Sequence, residues 1–94
     1  MTIHEHIKAQ TEALEAAIYG ALEACDEYRD AVVGHLTAEE SAADPNEMVI
    51  KRLRQFEQKA AAITRIIEDD VLTELLFCID RLEMFRQAER GEFF

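Results

Sequence analysis

Pro45 is the only proline in this chain of 94 residues, and it divides two stretches in which little else opposes a helix. Proline lacks the backbone N–H and clashes with the preceding turn, so it is tolerated at a helix start and not inside one. Three glycines and one proline leave little room for hairpin turns or flexible linkers.

In the first stretch Ile3, Ile7, Leu14, Ile18, Ala21, Cys25, Tyr28, Val32 and Leu36 recur in steps of three, four and seven. At about 100° per residue they fall in one arc of about 80°, a narrow seam of the coiled-coil kind. The intervening positions are rich in Ala and Glu, both strong helix formers. Gly34 is the expected stop. Thr37-Ala-Glu-Glu40 reads as a capping box, and Asp44-Pro45-Asn46-Glu47 as a helix start with Asp44 as cap and Pro45 in the first helical position. The prediction is a single helical domain over 1–94, with a helix over 3–34, a linker over 35–44, a second helix over 45–90 and a tail over 91–94.

The second stripe is Val49, Leu53, Phe56, Ala60, Ile63, Ile67, Val71, Cys78, Leu82 and Phe85. It holds one face without evident loss of phase, which favours one unbroken helix. Glu68-Asp69-Asp70 is the only place where it could turn. The fold class is therefore all-α: a long antiparallel helical hairpin, or a three-helix bundle turning near 69–70, dimerising into a helix bundle. Both cysteines fall in apolar helical patterns and are expected to be packed thiols, reduced in a cytoplasmic protein. Residues 1–5 show no basic-then-apolar leader pattern.

Val71, Leu72, Leu75, Leu76, Phe77, Cys78, Ile79, Leu82, Met84 and Phe85 surround about half of the C-terminal helix. One partner helix covers about 100° of arc. The surplus points to a homodimer, with Leu72, Leu75, Leu76, Phe77, Ile79 and Met84 as its interface, joined by Phe93 and Phe94 of the tail.

The net charge is −10, and the acids cluster. The first helix carries Glu5, Glu12, Glu15, Glu23, Asp26, Glu27 and Asp30 against Lys8 and Arg29. Projected on a helix, these carboxylates occupy an arc opposite the apolar seam. Between Met48 and Ile67 the sign reverses, with Lys51, Arg52, Arg54, Lys59 and Arg65 against Glu57. Such a balance opposes direct binding to nucleic acid or to an anionic membrane, since both require a basic face. No apolar run is long enough to span a bilayer. The acidic ridge fits a protein partner with a basic surface, and its partner-binding candidates are Glu12, Glu15, Tyr19, Glu23, Asp26, Glu27 and Asp30. Tyr19 stands among the carboxylates, where core packing does not explain it. At about one charge per 5 Å, against one per 1.7 Å for duplex DNA, the ridge resembles a single-strand track more than a duplex.

Catalytic and cofactor chemistry has no foothold in the sequence. Di-iron bundles use Glu-x-x-His pairs, and the residues three before His4, His6 and His35 are Met1, Ile3 and Val32. His4 and His6 are two residues apart and point in different directions on a helix. There is no glycine-rich phosphate loop, nucleophile elbow or C-x-x-C pair. The expectation is a non-enzymatic protein, without cofactor or metal, that binds and blocks a protein partner. In size and charge it is analogous to phage-encoded inhibitors, antitoxins and anti-activators. A structural homodimer whose assembly is its function is the alternative.

Overall fold

The computed structural model describes residues 2–91, and they form a two-helix hairpin. Helix α1 spans Ile3–Glu40, and the second arm runs unbroken from Glu47 to Arg90. This arm consists of α2 (Glu47–Ile66), one π-helical turn (Ile67–Val71) and α3 (Leu72–Arg90). The molecule measures 71 × 22 × 13 Å with a radius of gyration of 20.9 Å. A compact chain of this length would have a radius near 12 Å. Asp69-Asp70 is not a turn, so the three-helix alternative falls away.

The seam of α1 is strictly heptad. His4, Thr11, Ile18, Cys25, Val32 and Glu39 recur every seven residues, with Glu15, Leu22 and Leu36 between them, and all are buried or half-buried. This corrects the sequence reading: Ile3, Ile7, Leu14 and Tyr28 are exposed and flank the seam. Counting only apolar residues misses Thr11 and Glu15. Thr11 is tolerated inside because its hydroxyl donates to the Ile7 carbonyl at 2.8 Å. Glu15 is half-buried and does not lie opposite the seam with the other acids.

On the second arm Ile50, Leu53, Glu57, Ala60, Thr64, Ile67 and Val71 keep the same spacing. Continued without interruption, it would turn Glu74, Cys78, Arg81 and Phe85 towards α1. Instead Leu72, Leu75, Ile79 and Leu82 are the buried or half-buried positions. The stripe does lose phase, by one residue, and the π-turn absorbs it. The Leu72 N–H bonds back to the Ile67 carbonyl, five residues earlier. The Thr73 hydroxyl donates to the Asp69 carbonyl at 2.6 Å. Each Leu or Ile kept out of water this way contributes about 1.5–3 kcal/mol, which outweighs one irregular turn. Cys78 and Phe85 consequently sit outside the seam. Cys78 is exposed, not packed, while Cys25 is half-buried beside Ala60 and Ile63.

The connection is shorter than the sequence suggests. Helix α1 passes through Gly34 and the Thr37 box, because Val32, Leu36 and Glu39 extend its seam to the second arm. Asn46, not Asp44, caps α2, and its side chain accepts from the amides of Met48 at 3.1 Å and Val49 at 3.3 Å. Pro45 therefore precedes the cap. Glu39 accepts from the Asn46 amide at 2.8 Å and ties the loop to α1. At the open end Thr2 caps α1 by accepting from the Glu5 amide at 3.1 Å. The His4 amide donates across the hairpin to Glu89 at 3.0 Å. Gly91 ends α3 at φ 77°, the left-handed conformation that favours glycine.

Three variants check this architecture. Deleting Asp69 removes the extra residue and restores an uninterrupted heptad, so its thermal unfolding by circular dichroism should stay close to that of the parent. Deleting Ala62 instead shifts the stretch up to Val71 by one residue, turns Arg65 and Glu68 inward in place of Thr64 and Ile67, and should destabilise. Asn46→Ala should lose about 1 kcal/mol in denaturant unfolding.

Candidate interaction surfaces

A flat hairpin has two broad sides, and here they differ in chemistry. On one side a second heptad line runs beside each seam. It consists of Ile7, Leu14, Ala21 and Tyr28 on α1, and of Val49, Phe56 and Ile63, then Val71, Cys78 and Phe85, on the second arm. The step from Ile63 to Val71 is eight residues, because the π-turn shifts this line with the seam. Ile7, Leu14, Tyr28, Val49, Phe56, Ile63 and Phe85 are all substantially exposed. Two open apolar recesses lie along the line. One, of about 390 Å³, is lined by Leu14, Ile18, Val71, Leu75 and Cys78, with Asp70 and Glu74 also contributing. The other, of about 230 Å³, is lined by Ala24, Cys25, Tyr28, Ala60 and Ile63.

The opposite side is polar and of mixed sign. Arg29 of α1 meets Arg65, Glu68 and Asp69 around one recess, and His4 and Lys8 meet Glu83 and Arg86 around another. Arg86 hydrogen-bonds Glu83, and this bond is the main reason the Glu83 carboxyl lies below the usual carboxylate range.

The carboxylates lie outboard of this side, on α1. Glu12, Glu23, Asp26, Glu27 and Asp30 are exposed. Tyr19 is 56 % exposed, seven residues from both Glu12 and Asp26 and so in line with them. Across the hairpin the pair Arg54–Glu40, at 3.8 Å, joins the arms near the loop. It is exposed and contributes at most about 1 kcal/mol. Among the described residues no ion pair joins Lys51 or Lys59 to Glu12, Glu23 or Asp26, so the ridge is not consumed by the arm beside it.

The expected dimer-interface residues separate into three groups. Leu75 is buried, and Leu72 and Ile79 are half-buried, in the chain's own seam. Leu76, Phe77 and Met84 are exposed but away from the open apolar side. Phe77 is two residues from both Leu75 and Ile79, which sets it about opposite them on the helix. Arg81 covers its ring at 4.7 Å from the centroid and donates to the Met84 sulfur at 3.1 Å. Phe93 and Phe94 lie outside the described residues. The surface that sequence reasoning missed is the line through Leu14, Tyr28, Phe56 and Ile63. Its signal was present, since these residues repeat at seven, but they were counted as the seam itself.

Among the described residues no group of three His, Cys, Asp or Glu side chains is placed to hold a metal ion, and no helix is long and apolar enough to cross a membrane. Comparison with family models, curated proteins and solved structures finds no match for the chain.

Leu75 and Leu76 give a direct check of the seam. Leu75 is 3 % exposed and Leu76 58 %. Leu75→Ala should cost about 2–4 kcal/mol in denaturant unfolding, and Leu76→Ala less than about 0.5.

Proposed function

We propose that this is a non-enzymatic binding protein that presents the outer side of α1 to a basic surface of a protein partner and blocks or modulates that surface. The observation that carries this reading is the ridge of Glu12, Glu23, Asp26, Glu27 and Asp30, exposed along one rigid helix. Tyr19 adds an aromatic anchor in the same line, and aromatic residues are enriched among the side chains that dominate binding energy. A rigid helix holds these charges in place before contact, so little entropy is lost in ordering them. The negative field speeds encounter with a basic partner, and the contacts in the ridge set its lifetime. The action is stoichiometric: the chain occupies a site and catalyses nothing. Partners of this kind include proteins whose basic groove normally receives nucleic acid, as for phage-type inhibitors, antitoxins and anti-activators.

The test is affinity capture with the full chain, identification of retained proteins by mass spectrometry, and elution with rising salt. Reversing Glu12, Glu23 and Asp26 to Lys should abolish retention while leaving helicity unchanged. Tyr19→Ala should weaken retention at least tenfold. Retention that is insensitive both to salt and to the reversals would rule the reading out.

A further inference from the structure

We infer that the open apolar side is the inner face of an antiparallel homodimer, in which two hairpins stack into a four-helix bundle with their loops at opposite ends. This inference stands apart from the acidic ridge, which lies on other faces of the rod.

Three observations carry it. The first is area. The chain exposes 7185 Å², whereas a compact monomer of its mass would expose about 5,500 Å². The excess is about 1,700 Å² per chain, and two chains hiding it would reach the 2,000–5,000 Å² range of obligate dimers, taken as roughly that interval. Among the described residues no large side chain is fully buried.

The second is periodicity. The line Val49, Phe56, Ile63, Val71, Cys78, Phe85 keeps its seven-residue spacing along the whole arm and makes the same one-residue step at the π-turn as the inner seam. Scattered exposed apolar residues would show no such phase. A second heptad line beside the first is what a helix needs when it packs against two neighbours, as in a bundle.

The third is the fit of a reversed second copy to this face. Arg52 and Lys59 lie beside Phe56 on the loop-side half of the arm, and Asp70 and Glu74 border the Leu14–Cys78 recess on the other half. The corresponding flank of α1 carries Gln10, Ala17, Ala24 and Ala31 and no charge. A copy stacked with its loop at the same end would set these cations and anions over alanines. A copy reversed end for end sets arm on arm and α1 on α1. With the axis between Ile66 and Ile67, close to the middle of the arm, Lys59 faces Glu74 of the second copy and Arg52 faces Arg81, each twice by symmetry. The same rotation brings Tyr28 and Ile63 of the second copy over the recess lined by Leu14, Val71 and Cys78. On the α1 side it sets small residues such as Ala17 against larger ones such as Tyr28. Both copies keep their acidic ridges on the outside.

Sedimentation equilibrium of the full chain should give twice the 10.8 kDa chain mass at micromolar concentration, and a monomer there would overturn the inference. Lys59→Glu and Glu74→Lys should each raise the dimer dissociation constant at least tenfold. The double variant, with the pair exchanged, should return to within about threefold of the parent; a double variant weaker than either single one would exclude the reversed pairing. All three variants change exposed residues, and unchanged circular dichroism confirms the fold. With Cys25 and Cys78 replaced by Ser, Ile66→Cys should oxidise to a covalent dimer, while Gln58→Cys on the far side should not. Equal cross-linking at both positions would reject the face. A monomeric chain that still showed salt-sensitive retention would sink the dimer and leave the proposed function standing.

Discussion

The structure depends on a seven-residue repeat that two antiparallel helices must share along a rod 71 Å long. A seam this narrow offers each helix one line of contact, so every position in it has to face inward. The second arm breaks the repeat once, between Val71 and Leu72, and the break is repaired in the backbone. Forcing a regular helix through Glu68–Val71 would rotate α3 by about 100° and exchange Leu75, Ile79 and Leu82 for Cys78, Arg81 and Phe85. The π-turn spends one residue to prevent that exchange. Its location follows from composition: the acidic trio before Val71 has little apolar surface to lose, and Thr73 can answer a carbonyl that the looser turn leaves short.

Much of this was legible in the sequence, and the misreadings have a common cause. The helical class, the hairpin and the continuity of the second arm follow from Pro45 and from apolar spacing. The failures arose wherever polar residues belong to the seam, or apolar residues do not. Thr11, Glu15, Glu57 and Thr64 sit at inward or half-inward positions. An apolar-only stripe therefore slid towards Leu14, Tyr28, Phe56 and Ile63, one heptad position away. Gly34 did not end α1 because a helix-interior glycine costs only about 0.5–1 kcal/mol, less than the burial of Val32 and Leu36 on either side of it. Glu12, Glu23, Asp26, Glu27 and Asp30 are exposed and Glu15 is not, because exposed charges need only point away from the neighbouring helix.

The two broad sides of the rod ask for different neighbours. The apolar side has recesses and ridges but little polar functionality, so any affinity it has comes from burial. The outer side of α1 carries Tyr19, Val33 and a few alanines among its carboxylates, so any affinity it has comes mainly from charge and its lifetime from few anchors. In the proposed dimer these demands fall on different faces, so that association would leave the outer side of α1 available. A protein with a single amphipathic helix could not separate them.

The charge pattern of α1 also carries an internal cost that the fold itself does not recover. Glu23–Glu27 and Asp26–Asp30 are like-charge pairs four residues apart, each unfavourable by about 0.2–0.5 kcal/mol. The last turn of α1 has no basic residue, and Glu39 and Glu40 stand at the helix end where the dipole disfavours carboxylates. Those two are partly answered, by the Asn46 amide and by Arg54. The pairs at 23–27 and 26–30 have no such answer among the bonds and ion pairs described for their residues. Solubility alone would be served as well by mixed signs, with Lys or Arg at one member of each pair giving a more stable helix. In the proposed function the complement of this repulsion lies outside the chain, and a basic partner would turn it into affinity.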